Sequence, residues 1–208
     1  MEEKEAIKNI IEAIRSENDN EHIDFMLPGY AGKKVIAYNS MRADLILCKN
    51  AIAKLINEDH GEVVTASLFH TFIILYGKCF TDASSSKSPK LEISDFNQKN
   101  EHLIVTHEEI MDMRHNFVAH RGSTEHEVGF AYLKLNINDY SRQVKVKQLK
   151  RGRPKKESLT DYEKLLNYLI EVCESKFYAA GVKAWKHMLK EYSPDMMAEL
   201  KIAGPTEK

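Results

Sequence analysis

One stretch of this chain restricts its folding more than any other. Val63 to Phe80 is apolar nearly all round a helix, interrupted by His70 and Lys78. It falls short of the roughly 20 clean apolar residues that a bilayer crossing needs. It therefore reads as a helix from about Glu62 to Asp82 that other elements must enclose, and such a helix belongs in the middle of a bundle. On this reading His70 is a satisfied core histidine, and Tyr76 and Cys79 are core residues.

The segments on either side supply partners. A first helix from about Glu2 to Arg15 carries Ile7, Ile10, Ile11 and Ile14 on one stripe. Asn18 to Gly32 reads as loop, punctuated by Pro28 and Gly29. After Ser40, the residues Met41, Leu45, Cys48, Ile52 and Leu55 alternate steps of four and three, the spacing of a narrow bundle seam. Asp82 to Asn100 is rich in Ser, Lys and Asp and reads as a mobile loop.

Further on, Thr106 and Glu109 form a T-x-x-E capping box, Arg121 suits a last turn, and Gly122 suits the residue beyond it. These signals predict a helix over His107 to Arg121. From Val128 to Leu149 the period changes to two, with Phe130, Tyr132, Val144 and Val146 alternating with polar residues around Asn138-Asp139, which predicts a β-hairpin. A second box, Thr160 and Glu163, opens a long helix with Tyr162, Leu166, Leu169, Cys173, Phe177, Ala180, Ala184 and Met188 along one face. Ser193-Pro194-Asp195 starts a short closing helix that Gly204 ends.

The fold class expected is all-α: a single helical domain over 1–208, built as a bundle, with a late β-hairpin insertion at 127–149 and a basic linker at 150–156. A length of 208 residues with 43% hydrophobic and 29% charged side chains suits one folded domain with a real core. Cys48, Cys79 and Cys173 lie far apart without a CxxC pair, which argues against a disulfide scaffold and against structural zinc. The charged start Met1-Glu2-Glu3-Lys4-Glu5 is unlike a signal peptide. A soluble, cytoplasmic protein that makes no use of a membrane is expected.

The overall charge is −1, but it is unevenly spread. Arg142, Lys145, Lys147, Lys150, Arg151, Arg153, Lys155 and Lys156 fall together between Ser141 and Lys156, with no acid among them, so acids outnumber bases elsewhere. Such a stripe either holds a polyanion or protects a lysine-studded edge strand from aggregation. Its last part, Lys150-Arg151-Gly152-Arg153-Pro154-Lys155-Lys156, contains R-G-R-P, the core of a strip that lies in the minor groove of A·T-rich DNA. The same residues suit a strand-to-helix linker, or a strip that grips RNA phosphates through Arg151 and Arg153.

The chemistry-bearing segment is Met113-Arg114-His115-Asn116-Phe117-Val118-Ala119-His120-Arg121-Gly122. A guanidinium stabilises charge on phosphate oxygens, and an imidazole moves protons near neutral pH. The bland alternative is a histidine and an arginine favoured near a helix C-terminus by its dipole. On an α-helix, Arg114 and His120 would sit about 9 Å apart along the axis, with an angular drift of about 120°. A tight pair then needs two copies of the helix about a twofold axis. Met113 and Phe117 would pack across that interface.

Arg114-x5-His120 resembles the R-x(4–6)-H motif of HEPN-domain ribonucleases, with a polar residue just after the Arg. The resemblance implies an all-α bundle with the motif late in a core helix, covering roughly Ser40 to Leu189. It implies RNA as substrate, cleavage without a metal or other cofactor, and a homodimer whose two motifs face one cleft. It also implies a toxin or phage-defence role, with an antitoxin or regulatory protein as a further partner. Arg114 and His120 would be catalytic, and His115, Asn116 and Arg121 would touch substrate. One HEPN subgroup carries a Tyr two residues after the motif His. Gly122 stands there instead, so regulation by modification of that Tyr is not implied.

The alternative is a non-catalytic helical dimer that binds nucleic acid or a nucleotide through the same helix and strip. There is no P-loop, GxGxxG or GxSxG. His102 and His107 lack the neighbours a metal site requires.

Overall fold

The computed structural model describes residues 3–18, 21–82, 88–119, 127–138, 141–150 and 154–204, with side chains described for all of these except 3, 117–119, 127–128 and 148–150. Among the described residues the chain is mostly helical: α1 (Glu3–Glu17), α2 (Gly29–Asn57), α3 (Glu62–Cys79), α4 (Leu103–Asp112), α5 (Lys156–Glu191) and α6 (Pro194–Glu199). The strands are β1 (Asp24–Phe25), β2 (Glu127–Leu135), β3 (Arg142–Lys150) and β4 (Lys201–Ala203). The expected helical bundle with a late hairpin is the fold found. None of the helices, among the described residues, is long and apolar enough to cross a membrane. The chain divides into two compact units, Ser40–Glu174 on the one hand and Met1–Asn39 with Ser175–Lys208 on the other.

Within Ser40–Glu174, α3 is the hub. Cys48 Sγ of α2 donates to the Phe72 carbonyl at 3.5 Å, and Lys78 of α3 pairs with Asp44 of α2 at 2.8 Å. Phe72 packs on Tyr162 of α5 with ring centroids 5.1 Å apart, while Tyr76 bonds His107 of α4. The core is Leu45, Cys48, Ile52, Phe69, Phe72, Ile73, Tyr76, Ile110, Leu165, Leu166, Leu169 and Cys173, all fully buried. Each such Leu, Ile or Phe contributes about 1.5–3 kcal/mol relative to its exposed state. Although central, α3 is not enclosed all round: Val63 is 79% exposed and Ile74 50%. His70 is half-buried rather than a core residue. The three cysteines are buried thiols rather than disulfides, and burial pushes Cys48 up to about 12.

The segment expected to be a mobile loop contains two short 3-10 turns, Ile93–Asp95 and Gln98–Asn100, and it reaches the core. Leu91 and Phe96 are buried, and the Leu91 N–H donates to the Cys79 carbonyl at 2.9 Å. Tyr168 of α5 holds the junction between the two turns, donating to the Asp95 carbonyl at 2.6 Å and accepting from the Asn97 N–H at 3.1 Å.

Neither capping box marks a helix start. α4 begins at Leu103, so Thr106 lies inside it, and α5 begins at Lys156, with Thr160 inside. In α4 the buried stripe Leu103, His107, Ile110 and Met113 extends a full turn before the expected start, and its burial decides where the helix begins. In α5 the same holds through buried Leu159. Glu109, freed from capping, accepts a hydrogen bond from the Tyr162 hydroxyl at 2.9 Å.

The hairpin matches its expected place. β2 and β3 pair antiparallel from Glu127↔Lys150 to Leu135↔Arg142, and the turn is closed by the Asn136 N–H donating to the Ser141 carbonyl at 2.9 Å. All its described side chains are exposed, on both faces.

In the other unit, β1 pairs antiparallel with β4, Phe25 packs on Trp185 with centroids 5.9 Å apart, and Arg15 Nε donates to the Ile202 carbonyl at 3.0 Å. α2 starts twelve residues before Met41, the expected point, straight after Pro28, with Gly29 at φ 63°, a left-handed conformation that favours glycine. Ser193 caps α6 as expected, accepting from the Met196 N–H, with Pro194 in the first turn; α6 stops at Glu199 and β4 follows.

Candidate active site

α4 does not run on as a regular helix through the Arg114 segment. From Met113 to Ala119 the backbone is a π-helix. Such wide turns are rare and concentrate at functional sites. The α-helical spacing expected between positions 114 and 117 therefore does not hold here, and position 120 lies outside the described residues. Met113, the first residue of this segment, is only 2% exposed, because it continues the buried stripe of α4. It belongs to the chain's own core and not to an interface between copies.

Arg114 follows it and is half-buried. Its aliphatic stem and Nε lie against α3 at Gly77, where a Cβ would collide with Arg114 Cδ and come within 2.5 Å of Nε. Gly77 is itself buried within α3. A glycine inside a helix costs about 1 kcal/mol relative to alanine. At this position it opens the space that the arginine occupies. The guanidinium is thus carried by two elements, the π-turn that projects it and the glycine notch that seats it.

His115 and Asn116 come next, both exposed. Asn116 Nδ2 donates to Asp112 Oδ1 at 2.6 Å, which holds the amide against the last turn of α4. Phe117 lies in the π-turn. His120, Arg121, Gly122, Arg151 and Arg153 lie outside the described residues. Of the expected site residues, the fold therefore gathers Arg114, His115 and Asn116 on one π-turn at the end of α4. Downstream, Pro154, Lys155 and Lys156 line a cleft with Glu58 and His60. No group of three His, Cys, Asp or Glu side chains that could hold a metal ion occurs among the described residues.

Six residues before the π-turn, on α4, His107 is enclosed by the rings of Phe80, Phe96 and Tyr76, with centroids 4.3, 5.5 and 5.8 Å away. Its Nδ1 shares a 2.7 Å hydrogen bond with the Tyr76 hydroxyl. Burial lowers His107 to about 4 and raises the Tyr76 phenol. At neutral pH both are uncharged, so this is a structural contact that ties α4 to α3 through Tyr76, the residue before Gly77, and His107, seven residues before Arg114.

Two residues important to the site carry little sequence signal of their own. Gly77 is marked only as a glycine in an apolar helix interior, a position that calls for a packing or functional reason. Asp112 is marked only by standing four residues before Asn116, the spacing at which helical side chains meet.

Comparison of the chain with models of known protein families, with curated proteins and with solved structures finds no match.

Proposed function

We propose that this chain is a metal-independent endoribonuclease of HEPN type, a toxin or phage-defence effector that acts on RNA as a homodimer. The observation that carries the reading is the setting of Arg114. An Arg-x5-His motif falls at the end of a core helix of an all-α bundle, its backbone widens into a π-turn there, and a buried glycine seats the arginine. A solvent-facing helical arginine needs no such accommodation.

The chemistry follows from the two side chains. The 2′-hydroxyl of RNA attacks the adjacent phosphorus, the new P–O2′ bond forms and the P–O5′ bond breaks. His120 takes the 2′ proton, and a proton is returned to the departing 5′ oxygen. Arg114 stabilises the added charge on the phosphorane oxygens. The products are a 2′,3′-cyclic phosphate and a 5′-hydroxyl. His115, Asn116 and Arg121 contact the substrate, with Asn116 oriented by Asp112, and Arg151 and Arg153 hold phosphates along the strand. Two copies of the segment about a twofold axis supply two arginines and two histidines to one cleft.

The test is cleavage of RNA by the wild type, Arg114→Ala and His120→Ala in the presence of EDTA. Wild-type cleavage lost in both variants supports the reading. A chain that binds RNA and leaves it intact is the non-catalytic nucleic-acid-binding dimer instead.

A further inference from the structure

The hairpin has two unlike faces. In its register Phe130 stands opposite Lys147, Tyr132 opposite Lys145 and Lys134 opposite Gln143, and directly opposed residues share a face. The other face is aliphatic over Ala131, Leu133, Val144 and Val146. Both aromatic side chains and three of the lysines are therefore sorted to one side. On that side the Phe130 and Tyr132 rings lie nearly parallel, 23° apart with centroids separated by 6.4 Å, and Phe130 is 70% exposed. No acidic side chain shares this face among the described residues.

We infer that this face, Phe130 and Tyr132 with Lys134, Lys145 and Lys147, is a platform for single-stranded RNA. Flat exposed rings offer stacking surfaces to unpaired bases, and a lysine directly across from each ring lies where a strand's phosphates pass. A duplex offers no such fit, because its base faces are already stacked on each other. A protein partner is disfavoured because lysine is depleted at protein interfaces. In the sequence, β3 leads directly into the further basic residues Arg151, Arg153, Lys155 and Lys156. The inference deepens the proposed ribonuclease reading, since it names how that substrate is held, and it rests on that reading for the choice of RNA.

Binding is measured by fluorescence anisotropy with a short unstructured 2′-O-methyl RNA, which lacks the nucleophile and is not cleaved. Phe130→Ala/Tyr132→Ala should weaken binding at least tenfold, in line with losses of about 5- to 150-fold per stacked base. Lys145→Gln/Lys147→Gln should lower the slope of log affinity against log salt by about 1.4, from about 0.7 per phosphate contact. The substituted side chains are exposed, and circular dichroism checks that the bundle is unchanged. Wild-type affinity in the aromatic variant, or equal affinity of the wild type for duplex, overturns the platform. Binding lost in that variant while the wild type cleaves no RNA keeps the platform and rejects the ribonuclease. Cleavage that needs His120 with no loss of binding in the aromatic variant does the reverse.

Discussion

Arg114 is seated on Gly77: its Cδ and Nε occupy the space that any side chain at position 77 would require. The two residues belong to different helical segments, and neither position is explained without the other. α3 forgoes a side chain at a buried point, and the π-turn brings the arginine down onto the gap.

Gly77→Ala should therefore act on cleavage rather than on folding. Alanine favours the helix by about 1 kcal/mol, and its methyl evicts a flexible side chain, so the melting temperature should stay within about 4 °C of the wild type. RNA cleavage should fall about 10- to 100-fold, as expected when a catalytic group is displaced by about an ångström. Adding Arg114→Ala to Gly77→Ala should then cost less than Arg114→Ala alone, because the two residues act through one contact. Full additivity in that cycle would show that Gly77 does not act through Arg114.

Much of the architecture is legible from residue spacing, because burial leaves a periodic mark. The seam Met41, Leu45, Cys48 and Ile52 is buried as its spacing requires, and the period-two stretch is a hairpin with its turn at Asn138. Helix ends are less legible. Thr106-Glu109 and Thr160-Glu163 have the local form of capping boxes, yet the buried stripes through Leu103 and Leu159 carry the helices past them. The start of α2 is hidden because Tyr30 and Ile36 are exposed and draw no apolar stripe over its first turns. At the site, Arg114 is found from its motif. The π-turn leaves no periodic signature within seven residues, and the Gly77 seat is a contact between distant positions that no local pattern records.

Shared use of one cleft by two copies can be tested by mixing inactive variants. Arg114→Ala and His120→Ala should each be inactive alone. In a mixed dimer one chain keeps its Arg114 and the other keeps its His120, so part of the activity should return after subunit exchange. Size-exclusion chromatography with light scattering should show a dimer throughout. No recovery in a verified mixed dimer would place Arg114 and His120 in one chain's own site.

Acid should destabilise the α3–α4 contact through His107. This side chain is 6% exposed, and burial holds it at about 4, against an ordinary value of 6.5. The unfolded chain binds the proton first as pH falls, so stability is full above about 6.5, declines between about 6.5 and 4, and levels off below. The total for this group is on the order of 3 kcal/mol. Urea unfolding at a series of pH values should show the decline, and His107→Leu should flatten it. An equal decline in the variant would assign the acid sensitivity to other groups.

On the proposed mechanism, Arg114 and His120 cleave RNA by 2′-hydroxyl attack. The most direct measurement incubates the wild type and His120→Ala with RNA in EDTA and maps the ends of the products. The expected result is 2′,3′-cyclic phosphate and 5′-hydroxyl ends from the wild type and intact RNA from the variant. Cleavage by His120→Ala at the wild-type rate, or wild-type products ending in 3′-hydroxyl and 5′-phosphate, would contradict it.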